Sequence, residues 1–204
     1  MRKDATLDAS TLEAVMAPGV ALHNVADRLP RGRHRRKTRR PPGQAIDAVF
    51  LHHSGALGRD GVRGAVDSAR YVIKNRGFPC APYHFWAPRT ELRDAKNRLV
   101  LLRLVPNETR SWHTGGRAND RGVGIALQGN TSKLPVSWAQ VELLEAFYPW
   151  ISEELGLPWS HIESWLGWHS IARRWGARKS KPACPGVDGE RWVRGYLGRA
   201  QRAA

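Results

Sequence analysis

Apolar residues in this chain fall into short blocks whose period changes along the sequence. Ala45-Ile46-Asp47-Ala48-Val49-Phe50-Leu51 is a short, mostly apolar run that ends in His52-His53-Ser54. That pattern predicts a strand buried on both faces. Val62, Ala65, Val66, Ala69, Val72 and Ile73 then recur at helical spacing, with Gly77 as the stop. Tyr83 to Ala87, Arg98 to Val105 and Val123 to Leu127 read as three more strands. Ser137-Trp138-Ala139-Gln140 has the spacing of a capping box and opens a helix toward Leu155, which Pro149 should kink or split. Glu163 to Trp168 predicts a last strand and Asp188 to Leu197 a closing helix. Strands alternating with helices predict an α/β domain with a central mixed β-sheet flanked by helices.

The first 43 residues follow another pattern. Leu7 to Met16 carries a helical spacing that ends at Ala17-Pro18-Gly19. Residues 31–40, RGRHRRKTRR, contain seven Arg or Lys and no acid, and lead into Pro41-Pro42-Gly43. Such a stretch has no apolar side chains whose burial would offset its ordering entropy, so it reads as a linker or arm. The expected division is therefore an N-terminal extension over 1–43 with a basic arm, and one globular domain over 44–204.

Composition narrows the classes. A chain of 204 residues supports one domain with a sizeable core. No apolar run approaches the ~20 residues that span a bilayer. Met1-Arg2-Lys3-Asp4 is not followed by an apolar segment, so a chain made in the cytoplasm without a cleavable signal peptide is expected. Two cysteines, Cys80 and Cys184, are too few for a disulfide scaffold. The net charge is +15, and a basic protein is drawn to polyanions such as nucleic acid, anionic lipid or the anionic polymers of a bacterial envelope. The arm has no interleaved aromatics to stack on bases and the chain has no nucleic-acid reader motif, which argues against nucleic acid.

Three residues stand where a metal site is expected. His52 ends the first strand, His169 follows the last, and Cys184 lies beyond a loop. Ligand sites in open α/β sheets gather at the C-terminal ends of strands. Two imidazoles and a thiolate suit Zn²⁺, with a fourth position left for water. Taken singly, each has a structural explanation: a strand-end histidine is commonly a hydrogen-bonded core residue, and a lone cysteine a small buried hydrophobe. Cys80 is read that way. The spacing of the three is not a local motif and does not by itself assemble a site.

The strings around them supply a second line. Val49-Phe50-Leu51-His52-His53-Ser54, Tyr83-His84-Phe85, Trp112-His113-Thr114-Gly115-Gly116, Gly122 to Gly129 (GVGIALQG), Gly167-Trp168-His169 and Ala183-Cys184-Pro185-Gly186 occur in this order. Together they resemble the N-acetylmuramoyl-L-alanine amidase family, which includes phage lysozyme-amidases and peptidoglycan recognition proteins, over roughly residues 45–200. The resemblance implies a mixed sheet flanked by helices with a zinc site in an open groove. It implies His52, His169 and Cys184 as the Zn²⁺ ligands, Tyr83 and Lys181 as catalytic residues, and His113 and Asn119 as residues of the muropeptide groove. Ala126 stands where some members carry a glutamate base, so the chain is more similar to the phage-lysozyme branch. That branch places a lysine two residues before the cysteine; Pro182 is there in this chain, and Lys181 is one step further out.

The activity so implied is hydrolysis of the amide between N-acetylmuramic acid and the L-alanine of the stem peptide, in a phage or prophage endolysin acting on bacterial peptidoglycan. The basic arm would add affinity for anionic envelope polymers, and a chain without a signal peptide would need a separate export route to the wall. The alternatives are a peptidoglycan-binding module without activity, which in this family usually lacks the ligand cysteine, and a cytosolic amidase that recycles wall fragments.

Overall fold

The computed structural model describes residue 7 and residues 9–33, 38–55, 57–157 and 184–203. Six strands pair into one mixed sheet: β1 (Leu12–Ala17), β2 (Val20–Asn24), β3 (Ala48–His53), β4 (Phe85–Ala87), β5 (Leu99–Arg103) and β6 (Gly122–Leu127). Their order across the sheet is β1-β2-β5-β4-β6-β3. The central mixed sheet expected from the pattern is present. β3 lies parallel to β6 at one edge, with His52 opposite Ala126. Helices α1 (Gly61–Arg76), α2 (Ala118–Arg121), α3 (Trp138–Leu155) and α4 (Val187–Ala203) complete the described elements.

The two-residue period of the strands sorts their side chains onto two cores. Val49, Leu51, Phe85, Val123, Ile125 and Leu127 pack with Leu143, Leu144, Phe147 and Ile151 of α3. Trp86, Val100, Leu102 and Ala126 pack with Ala65 and Ala69 of α1 on the opposite face. α3 opens with the expected capping box, Ser137 accepting from the Gln140 N–H while the Gln140 side chain accepts from the Ser137 N–H. It runs through Pro149 without splitting. Phe147, Tyr148 and Ile151 are fully buried around that proline, and their packing outweighs one missing backbone hydrogen bond.

The N-terminal stretch differs from its expectation. Leu12 to Asn24 is no helix but a β-hairpin, turned at Pro18-Gly19, and β2 runs parallel to β5 with Val20 opposite Leu99. Leu12, Ala14 and Met16 satisfy a period of two as well as a helical one, and a tertiary partner decides between them. Val20, Ala21 and Leu22 are buried, so the sheet takes in residues ahead of Gln44. The end of the basic stretch is also built in: Arg39 bridges to Thr109, and Arg110 donates to the Thr38 carbonyl. The strand expected at Glu163 to Trp168 lies outside the described residues. Among those described, no helix is long and apolar enough to cross a membrane.

Asp94 ties the hairpin to the turn before β5. Its carboxylate accepts from the N–H groups of Lys96 and Arg98, from the Arg98 guanidinium and, at 3.3 Å, from His23 Nε2. Burial opposes its ionisation, but these donors outweigh burial and hold the carboxyl down at about 2. The unfolded chain binds this proton at about 4. A group with a depressed folded pKa stabilises the fold above the unfolded value and loses that contribution as pH falls through the folded one. The stability gap between the wild type and Asp94→Asn, measured by urea unfolding, should therefore be full at neutral pH and close as pH falls from about 4 to about 2. A gap that stayed constant across this window would show that the charge of Asp94 contributes nothing.

Candidate active site

His52 lies one position from the end of β3, where alternation turns Phe50 and His52 away from the face that holds Val49 and Leu51. It is 2 % exposed. Its Nε2 is 3.1 Å from Nδ1 of His113, whose ring stands nearly perpendicular to it. His113 comes from the loop ahead of β6 and lies over that strand, where a Cβ on Gly124 would fall 2.8 Å from its Nδ1. Only glycine leaves room for the ring there.

The protonation of this pair follows from its last acceptor. His113 Nε2 lies 3.3 Å from the carbonyl of Gly122, and a carbonyl can only accept, so Nε2 carries the hydrogen. Burial pushes the His113 imidazole down to about 3, against the pull of that carbonyl, so the ring is neutral and its Nδ1 bare. His52 Nε2 is then the donor to it. His52 Nδ1 is 3.4 Å from the Sγ of Cys184.

Cys184 is held from the other side. Thr131 donates its backbone N–H to His53 Nδ1 and its hydroxyl to the Pro185 carbonyl, which ties the residue after the cysteine to the end of β3. Gly186 adopts φ 85°, and a Cβ there would lie 2.5 Å from Ser132 N, so any side chain would push this segment away. Tyr83 closes the group. Its ring centroid is 5.2 Å from that of His52, and its hydroxyl is 3.5 Å from the His53 carbonyl. Burial, and then the charge of Cys184, push the Tyr83 hydroxyl well above its ordinary pKa, so it remains a proton donor.

These residues form the floor of an open cleft of about 250 Å³, walled by Tyr71 and Arg76 of α1 and by Phe78 and Trp112. Of the residues expected from sequence, His52, Tyr83, His113 and Cys184 are brought together. Asn119 is 4 % exposed and stands inside the loop: its Oδ1 accepts from Thr114 N, Thr114 Oγ1 and Gly115 N, and it does not line the cleft. His169 and Lys181 lie outside the described residues. Among the described residues no three His, Cys, Asp or Glu side chains converge on a metal position. The two donors present fit a borderline-soft cation such as Zn²⁺, since one is an imidazole nitrogen and the other a half-buried cysteine sulfur beside it. Burial pushes the Cys80 thiol up to about 12.

Sequence reasoning missed Thr131, His84 and Arg40. His84 is fully buried; its Nδ1 accepts from Gly124 N–H and its Nε2 donates to the Thr109 carbonyl, bracing the loop that carries His113. Its place beside Tyr83 in a recognisable string is the one signal that pointed near it.

Comparison with known proteins places the fold and the family. No curated protein matches the chain by sequence. Among solved structures, the fold is similar to that of the N-acetylmuramoyl-L-alanine amidase LysC from Clostridium intestinale URNW, at 18% identity over 78% of this chain and 87% of that one, with a TM-score of 0.54. It is similar to the Ph2119 endolysin from the Thermus scotoductus MAT2119 bacteriophage, at 16% identity over 81% and 92% of the two chains, with a TM-score of 0.55. Drosophila PGRP-LB matches at 16% identity over 82% and 88%, with a TM-score of 0.53. The family model described as N-acetylmuramoyl-L-alanine amidase matches residues 42–187, a span that holds β3, His52, Tyr83, His113 and Cys184, and by that match the chain belongs to this family.

Proposed function

We propose that this protein is a zinc-dependent hydrolase that cuts the amide between N-acetylmuramic acid and L-alanine in peptidoglycan, and that it acts as an endolysin. The observation that carries the reading is His52 Nδ1 lying 3.4 Å from the Cys184 sulfur in an open cleft that Tyr83 also lines. A binding-only module needs no such donor pair. His169 is the third proposed ligand. These residues would hold a zinc ion, whose chemistry would be to make a water ionisable near neutral pH and to polarise an amide carbonyl.

The chain's own groups have definable parts. Hydrolysis forms a bond from the water oxygen to the lactyl carbonyl carbon and breaks the C–N bond, and the departing alanine nitrogen must collect a proton. Charge builds on the carbonyl oxygen, which needs a fixed donor in a site that excludes bulk water. Tyr83 suits that part because burial keeps its hydroxyl protonated. Lys181 is the proposed second donor. Tyr71 and Trp112, on the cleft walls, offer apolar faces to a sugar ring or peptide. Affinity for anionic wall polymers is proposed for the exposed part of the basic stretch; Arg40 is buried and takes no part in it.

Digestion of purified sacculi followed by mass spectrometry of the products tests the reading. Free stem peptides beginning in L-alanine and intact glycan chains should appear, should vanish with a chelator and should return with Zn²⁺. Cleavage at a different bond, or full activity in chelator with zinc-free protein, would overturn it.

Tyr83→Phe removes one hydroxyl and keeps the ring, so folding and zinc content should hold while kcat falls roughly 10²–10³-fold. Lys181→Ala, one residue out of register with the family lysine, should cost less. A larger loss at Lys181, with zinc retained in both variants, would reverse the ranking of the two donors.

A further inference from the structure

Arg40 is 9 % exposed although it ends a run of seven basic residues. Its guanidinium donates to four main-chain carbonyls: Nε to Asn107 at 3.0 Å, Nη1 to Asn119 at 2.9 Å and Asp120 at 2.5 Å, and Nη2 to Gly122 at 2.9 Å. Nη2 also lies 3.3 Å from His84 Nε2. No carboxylate is among its hydrogen-bond partners in the described residues. Burial lowers its pKa to about 10, so it is a buried cation at neutral pH. Burying a cation on carbonyls alone is costly unless the geometry satisfies its donors, and here one planar fork reaches both ends of a single loop.

That loop, residues 107–122, carries His113. The Gly122 carbonyl accepts from Arg40 Nη2 and from His113 Nε2 alike. The position and orientation of this one oxygen decide which nitrogen of His113 is protonated, and through it which nitrogen of His52 faces Cys184.

We infer that Arg40 is a positioning residue of the candidate metal site: by clamping the 107–122 loop and the Gly122 carbonyl, it fixes His113 and so holds His52 as the Nε2–H tautomer with Nδ1 aimed at Cys184. The inference rests on the proposed zinc site, but the tautomer it concerns exists in the metal-free chain. Arg40 touches neither the cleft nor the reacting atoms, so its effect passes through His113. Outer partners that orient a ligand imidazole alter metal affinity by roughly 10–100-fold.

The test uses the full chain with ¹⁵N-labelled histidine. Metal-free wild type should show a pyrrole-like Nε2 and a pyridine-like Nδ1 at His52. In Arg40→Met, both nitrogens of His52 should move toward averaged values, and zinc affinity, read by competition with a chromophoric chelator, should weaken roughly 10–100-fold. Arg40→Lys keeps the charge but not the fork, and should show the same changes at smaller amplitude; it carries the test if the methionine variant does not fold. Arg98→Met, which breaks the Asp94 cluster at the far side of the sheet, should lower the unfolding temperature and leave the His52 shifts as in wild type. Folded Arg40 variants with wild-type His52 shifts and wild-type zinc affinity would overturn the inference. A wild type with the expected tautomer that binds no zinc would instead overturn the zinc reading and leave the role of Arg40 in the tautomer standing.

Discussion

A carbonyl oxygen can only accept a hydrogen bond, and the Gly122 carbonyl passes that constraint through two imidazoles to the atom that faces Cys184. Arg40 Nη2 donates to that same carbonyl, and from there the order follows from donors and acceptors alone. Each hydrogen bond of such a buried chain contributes only about 1 kcal/mol net. Its value lies in the alternative: a flipped tautomer would leave two buried donors or two buried acceptors facing each other, at a cost of about 1–3 kcal/mol for each unsatisfied group. The site is therefore specified by what cannot pair as much as by what does.

The rest of the fold serves that chain. β3 and β6 bring His52 and the Gly122–Gly124 backbone side by side in parallel register. Gly124 leaves room for the His113 ring, while His84 and Arg40 brace the loop that delivers it. On the other side, Thr131 and Gly186 bring the cysteine segment against the end of β3. Two packed cores, one on each face of the sheet, make these short supports rigid. LysC and the Ph2119 endolysin have a similar fold at no more than 18% identity.

Much of this is legible in the sequence. The apolar run to Leu51 and the stripe from Val62 to Ile73 lie in regular elements, because strong periodicity and tertiary burial agree there. His52, Tyr83 and Cys184 were legible because each sits in a contiguous string beside a strand or turn. The hairpin at Leu12–Asn24 was not, since its apolar positions fit two periods and only the neighbour β5 decides. Arg40 was hidden by composition: in a run of seven cations nothing local marks the one that turns inward to four carbonyls. Asn119 was legible as part of the right loop, but its buried amide oxygen binds that loop to itself, which a linear string does not reveal.

The central claim is that His52 Nδ1 and Cys184 Sγ are ligands of one zinc ion in a site completed by His169. X-ray absorption at the zinc edge, on purified protein carrying one equivalent of Zn²⁺, reads that claim directly. The account predicts one sulfur at about 2.3 Å and nitrogen or oxygen scatterers at about 2.0–2.1 Å, with the sulfur shell lost in Cys184→Ser. A shell without sulfur in the wild type, or a sulfur shell that survives loss of Cys184, would contradict it.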